Sequence, residues 1–346
     1  MKHSKKPFLN VLNGVETPNV PFWFMRQAGR YLPEYKQLRS TAKDFLDFCY
    51  SPQKAAEATL QPITRFGMSA AIIFSDILVI PDALGVEVHF EEGKGPILKP
   101  IKDAGALAGL QPAGIQEKLE PVYEALRLTA KALPEETALI GFCGAPWTLA
   151  CYMVHGSGSR DFQDVRQTAR RDPAFFSQLL SLLTHCVILH AKKQIEAGAQ
   201  AIQIFDSWAG TLSAEEFDTY VIAPAKAITA ALKQSYPQVP LIGFPRLAGP
   251  RYVDYSLFAG FDALSVDFTV PTEWIQTNLQ PHTIVQGNLD PLLLAEDKTA
   301  MLKQAEKILH DLRGKPFIFN LGHGILPHTP PEHVAALCEL IRESRP

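Results

Sequence analysis

Eight short runs of almost unbroken apolar or small residues recur along this 346-residue chain, each followed by a stretch with helical character. They are PFWFM (21–25), AAIIFSD (70–76), ALIGFCG (138–144), AIQIFDS (201–207), PLIGFP (240–245), ALSVDF (263–268), TIVQGNLD (283–290) and PFIFNLG (316–322). A strand that is wet on one face alternates apolar with polar residues, whereas a strand buried on both faces does not. Parallel neighbours also need a crossover, usually helical, between them. Eight such strands, seven crossovers and a last helix from about 330 to 343 specify an α/β fold, a single-domain (β/α)8 TIM barrel over 1–346 rather than a doubly wound sheet.

Helix signals support the crossovers. Asp172 is placed as an N-cap, Pro173 takes the first helical position, and Phe176, Leu179, Leu180, Leu183 and Val187 share one face before Gly198. Ser213 with Glu216 and Thr329 with Glu332 read as capping boxes. LGVEVHFEEGKGPILKPI (84–101) reads as a hairpin inserted in the second strand-to-helix connection. No linker, repeat or low-complexity tract interrupts the pattern.

Charge and cysteine content narrow the chemistry. A net charge of -3 with 20% charged residues argues against nucleic acid as a partner, which would require a basic excess. The cysteines, Cys49, Cys143, Cys151, Cys186 and Cys338, are scattered and odd in number, so neither a disulfide framework nor a zinc knuckle is expected. The opening MKHSKKPFLNVLNG has no apolar core, and nowhere do about 18 apolar residues run together. The expectation is a soluble cytoplasmic protein without a membrane partner.

Barrel chemistry stands where the strands end. The run ends supply Arg26, Asp76, Gly144, Asp206, Ser207, Arg246, Asp267, Asn288, Asp290 and His323. Metal-ligand spacing is missing. His185 and His190, five residues apart, lie roughly 140° apart around a helix, and prolines separate His323, His328 and His333. No G-x-S-x-G elbow, P-loop or G-x-G-x-x-G follows a strand. NLGHGI (320–325) has the look of a Gly-rich turn able to hold a phosphate.

The first run ends in MRQAGRYLPEY (25–35), where Arg26, Arg30, Lys36 and Arg39 face Glu34 alone within residues 26–39. Guanidinium forks match carboxylates two bonds at a time, and Gly29 leaves room for a turn or a close ligand. Two readings stand for the arginines: an anion site, or ion pairs with Asp206 or Asp267. Asp76 and Ser207 could equally be turn or cap residues. Tyr152 could be a core aromatic. Cys143 and Cys151 read as small buried hydrophobes, since no neighbouring base is visible.

MRQAGRYLPEY after PFWF closely resembles the N-terminal signature of the uroporphyrinogen decarboxylase family, and GFCGAPWTLACYMVHG (141–156) is similar to its second signature. FSDILVIPDALG (74–85), IFDSWAG (204–210) and NLGHGI extend the resemblance over essentially the whole chain. It implies a (β/α)8 barrel, usually a homodimer, that uses neither metal nor organic cofactor. The implied reaction removes carbon dioxide from the four acetates of uroporphyrinogen III, giving coproporphyrinogen III in heme biosynthesis. Carried over by position, Arg26 and Arg30 bind substrate carboxylates, and Gln27, Ala28 and Gly29 line the same edge. Asp76 meets the pyrrole N–H groups, Tyr152 and Ser207 are polar contacts, and His323 stands at the carboxylate rim. Asp76, Arg26 and Arg30 are the catalytic candidates. Two other classes compete: a zinc-dependent methyltransferase of the same barrel family, which uses a His-x-Cys that this chain lacks, and a tetrapyrrole carrier without turnover.

Overall fold

The computed structural model describes residues 4–91 and 93–344. Its strands are β1 (Ala70–Ile72), β2 (Val88–Glu91), β3 (Gly95–Leu98), β4 (Ala138–Gly144), β5 (Ala201–Asp206), β6 (Leu241–Pro245), β7 (Ala263–Ser265), β8 (Ile284–Leu289) and β9 (Phe317–Leu321). The pair β2 and β3 is the expected antiparallel hairpin, running within 84–101. The others form one parallel sheet in the order β1-β4-β5-β6-β7-β8-β9, with helices covering its outer face.

The first apolar run departs from expectation: it forms a bridge, not a full strand. Phe22 bridges Phe319 in parallel. On one side the Phe319 N–H donates to the Pro21 carbonyl (2.9 Å) and the Trp23 N–H to the Phe319 carbonyl (3.4 Å). On the other side the Ser69 N–H donates to the Phe22 carbonyl (2.9 Å), while the Phe22 N–H finds the Ser69 hydroxyl (3.1 Å). Pro21 brings no donor, and a hydroxyl replaces a backbone acceptor, so neither ladder grows. The segment nevertheless joins both edges of the sheet, which therefore curls into a closed ring of seven strands and one short bridge.

Inside the ring, residues alternate inward in steps of two. Ala70, Ala138, Ala201 and Ala263 each begin a strand and cluster with Phe8, Val11 and Leu12 of the helix Pro7–Leu12. Four methyl side chains leave the space that this helix fills from below. One level up, the Trp23 indole N–H donates to Gln286 Oε1 (2.7 Å), and Gln286 Nε2 donates to Gln203 Oε1 (3.0 Å) and to the Ser265 hydroxyl. All four side chains are fully buried, so these bonds satisfy groups that water cannot reach.

Among the helices, Pro173–Glu196 follows its signals, with Asp172 accepting the Phe175 N–H (3.0 Å) and Gly198 in the left-handed region. It is long and apolar enough to cross a membrane (mean hydropathy 1.5), and half of its most apolar window is buried within this fold. Ser213 and Glu216 form their capping box. Thr329 and Glu332 do not. The last helix runs Pro331–Glu343 with Pro330 in the cap position, no side-chain cap, and the Thr329 hydroxyl buried without a partner among the described residues. Pro331 supplies helical φ and has no N–H needing a cap, which moves the start past Thr329.

His190, on the long helix, is buried against the Tyr123 hydroxyl (3.1 Å), and burial lowers its pKa to about 3 from 6.5. Below pH 6.5 the unfolded chain takes up a proton at this residue that the folded chain refuses. Stability contributed by the neutral imidazole is thus complete above 6.5 and declines as pH falls toward about 3, by about 1.4 kcal/mol per pH unit from one group. Urea unfolding between pH 7 and 4 is expected to show a slope shallower by that amount in His190→Gln.

Candidate active site

At the C-terminal ends of the strands the inward alternation continues into the mouth. Phe142 of β4 and Phe205 of β5 stand over Ile140 and Gln203, both half-exposed, and their rings meet edge to face at 5.7 Å. Phe205 meets Phe244 of β6 at 6.1 Å. This aromatic floor was not singled out from the sequence, although the step of two from Ile140 and Gln203 points to it.

Arg26 is built by the opposite rim. The Met25 N–H donates to Asn320 Oδ1 (3.1 Å), and the Met25 carbonyl accepts the Ile325 N–H (2.9 Å). Clamped this way, the chain turns at Arg26 itself, whose φ is +60°. Left-handed backbone in a residue with a long side chain costs about 1–2 kcal/mol. Gly29 is not the left-handed residue; a Cβ there would stand 3.1 Å from the Arg26 carbonyl, a tight approach that glycine relieves. Gln27 is fully buried, its Oε1 accepting the Phe24 N–H (3.1 Å) and its Nε2 donating to the Ala70 carbonyl (3.2 Å). Its side chain therefore faces the core, leaving Ala28, Gly29 and the two arginines on the partly open edge.

NLGHGI uses its glycines for packing against protein. A Cβ at Gly324 would lie 2.3 Å from Arg26 Cδ, and one at Gly322 would lie 2.2 Å from the Phe268 N. The Arg26 stem therefore lies directly across the turn that carries His323. Burial, together with the charges of Arg26 and Arg246, lowers the His323 pKa to about 3, so the imidazole is neutral near pH 7.

The acids available for ion pairs are already occupied. Asp206, one residue out of phase with the inward set, turns to the helical layer and accepts the Thr148 hydroxyl (2.5 Å); burial raises its pKa to about 7. Asp267 accepts the Leu247 N–H (2.7 Å), the Tyr252 hydroxyl (3.0 Å) and the Thr269 N–H (3.0 Å). Glu34 pairs with Arg65 (3.0 Å). Among the described residues, Arg26 and Arg30 are exposed and make no salt bridge, which removes the ion-pair reading.

Asp76 follows β1, next to the segment that carries the arginines. One oxygen accepts the Leu78 N–H (2.8 Å) and shapes the turn. The other makes no hydrogen bond among the described residues. Burial raises its pKa to about 6, against the opposing Leu78 bond and Arg26 charge. Tyr152 packs between Phe162 (6.1 Å) and Trp208 (6.2 Å), and its hydroxyl lies within the fields of Asp76 and Arg26. Ser207 is half-exposed above Phe205 and is no cap, since the following turn Ala209–Thr211 starts from Trp208 without a side-chain cap. Cys143 and Cys151 are buried free thiols whose pKa burial raises, so neither offers a thiolate. Among the described residues no three His, Cys, Asp or Glu side chains converge as metal ligands would. A shallow groove of about 710 Å³ outside the ring, lined by residues that include Glu34, Leu60, Gln61 and Leu128, contains none of Arg26, Arg30, Asp76, Tyr152, Ser207 and His323.

An aromatic floor, a half-buried carboxylate with an open oxygen and unpaired arginines suit a flat, largely apolar ligand that carries several carboxylates and central N–H donors. Comparison with known proteins agrees. The family profile described as uroporphyrinogen decarboxylase (URO-D) matches residues 3–344. A uroporphyrinogen decarboxylase of Rhodospirillum rubrum is 48% identical, covering 99% of this chain and 98% of its own, and one from Chelativorans sp. is 49% identical, covering 99% of both. Among solved structures, a methyltransferase from Methanosarcina mazei superposes with a TM-score of 0.82 over 99% of each chain at 20% identity, a likeness of fold.

His323 provides a direct reading of the field in the mouth. Its imidazole proton resonances are expected to stay flat from pH 8 to about 4, and Arg26→Ala should raise its titration toward 6.5 without reaching it, because burial remains the larger cause.

Proposed function

The chain belongs to the uroporphyrinogen decarboxylase family and is a carboxy-lyase of tetrapyrrole biosynthesis, and from that premise we propose how its own residues perform the reaction. Asp76 faces the central pyrrole N–H groups of uroporphyrinogen III, Arg26 and Arg30 bind carboxylates at one rim, and the rings of Phe142 and Phe205 support the macrocycle. Tyr152, Ser207 and His323 are polar contacts around it, with Ala28 and Gly29 at the arginine edge. Gln27 belongs to the same segment through its backbone only. The observation that carries this reading is the open oxygen of Asp76 beside two arginines without acid partners.

Loss of carbon dioxide from an acetate on an electron-rich pyrrole leaves an unstable carbanion unless the ring first accepts electrons. Protonation of the ring carbon adjacent to the acetate creates that acceptor. The cation spreads to the pyrrole nitrogen, the carboxyl carbon leaves as carbon dioxide, and the electron pair left behind neutralises the ring. A proton then takes the place of the carboxyl group, completing the methyl, and the ring carbon gives up the proton it first received, which restores the pyrrole. A fixed carboxylate at the N–H groups stabilises the cation more than the neutral ground state, so it lowers the barrier and not merely the binding energy. Neutral His323 can accept or donate a hydrogen bond at a carboxylate without adding charge. The same reading takes residues 1–346 as one catalytic unit that works as a cytoplasmic homodimer, as the family resemblance implies.

Anaerobic incubation with uroporphyrinogen III, followed by oxidation and chromatography by carboxylate number, is expected to give a ladder from eight carboxylates to four; unchanged substrate would overturn the reading. Asp76→Asn should retain most binding and lower kcat by about 10²–10³. Since Asp76 must be ionised, and its pKa is about 6, wild-type kcat/KM should rise with pH through that value, and the asparagine variant should lose this limb. Arg26→Ala and Arg30→Ala should raise KM and reduce its dependence on ionic strength; an unchanged salt response in both would remove the carboxylate clamp.

A further inference from the structure

We propose that Arg246 is a third carboxylate-binding residue of this site, holding the edge of the substrate opposite to that held by Arg26 and Arg30. The proposal rests on the decarboxylase reading and adds a residue to it. In the closed ring, the 21–25 segment lies between β9 and β1. Counted either way from that segment, β6 is the fourth strand, so Arg246 at its end faces Arg26 across the mouth.

The side chain points inward by the same alternation that sets the floor. Ile242 and Phe244 belong to the interior cluster, which places Arg246 above Phe244, beside Ser207 above Phe205. Electrostatics agree independently: the charges of both Arg246 and Arg26 bear on the His323 imidazole, which rises from the opposite rim. The backbone is fixed on both sides. The Arg246 N–H donates to the Asp206 carbonyl (3.0 Å), its carbonyl accepts the Gly210 N–H (3.0 Å), and the next residue, Leu247, is held at φ +59° by its N–H bond to Asp267.

Among the described residues no acid forms an ion pair with this guanidinium. Asp206 faces the helical layer, Asp267 is taken by Leu247, Tyr252 and Thr269, and Arg246 makes no salt bridge among the described residues. Its Nε is buried with no hydrogen-bond partner among them. A partly buried, preoriented guanidinium without an acid matches a ligand carboxylate through its planar fork. Intermediates keep carboxylates at the far edge after each loss of carbon dioxide, so the same contact serves every step.

The test compares wild type with Arg246→Gln and Arg246→Lys by steady-state kinetics on uroporphyrinogen III and by chromatography of released porphyrins. The glutamine variant is expected to raise KM about 10- to 100-fold, the range for a charged hydrogen bond, with a smaller change in kcat. It should also release partly decarboxylated intermediates and flatten the salt dependence of KM. Lysine, which keeps the charge but loses the fork, should recover part of the affinity. Should the glutamine variant fail to fold, Arg246→Met keeps the apolar stem above Phe244 and is expected to show the same rise in KM. A folded Gln or Met variant with wild-type KM and no released intermediates would overturn the proposal while the wild-type ladder still supported the decarboxylase. A wild type that produces no ladder would overturn the decarboxylase reading itself, and the role of Arg246 with it.

Discussion

The short segment Pro21–Met25 is the closure on which the other features depend. It is hydrogen-bonded to β9 on one side and to the start of β1 on the other, and without it the seven-stranded sheet would keep two open edges. The same closure sets the site. Asn320 and Ile325 hold Met25 from both sides, and the chain must turn at the next residue, so Arg26 is forced into the left-handed region with its stem across Gly324. An arginine fixed by the backbone of two neighbouring elements loses little freedom when a carboxylate arrives.

Charge in the mouth is arranged by occupancy. Each acid that could neutralise an arginine is satisfied by a hydroxyl or a backbone N–H: Asp206 by Thr148, Asp267 by Tyr252, Thr269 and Leu247. Asp76 gives one oxygen to the Leu78 N–H and keeps the other without a hydrogen bond among the described residues. Partial burial then acts in opposite directions on two groups, raising Asp76 to about 6 and lowering His323 to about 3. Near pH 7 the ionised Asp76, the neutral His323 and the guanidinium groups of the mouth together complement a polyanionic ring with central N–H donors.

Where sequence and structure part, the reasons are local. PFWFM has the apolar content of a strand, but a proline donor gap and the Ser69 hydroxyl limit it to a bridge. Gly29 drew attention as the flexible residue between two arginines, yet the left-handed turn falls on Arg26 because the clamp acts on Met25. Gln27, between polar neighbours, turns inward because two buried backbone groups, the Phe24 N–H and the Ala70 carbonyl, need partners. Arg246 and the aromatic floor were visible as residues but not as a surface, since their role depends on which strand lies across from which.

The sequence by itself determined the parallel barrel, the hairpin, the helix starts at Asp172 and Ser213 and the family, because apolar runs, caps and contiguous motifs are carried by neighbours along the chain. Only the tertiary structure decided which acids remain open, which arginines lack partners, and that Arg26 and Arg246 face each other. Those properties arise between residues as much as 220 positions apart (26 and 246), and they are set by ring order and burial, quantities that no local pattern contains.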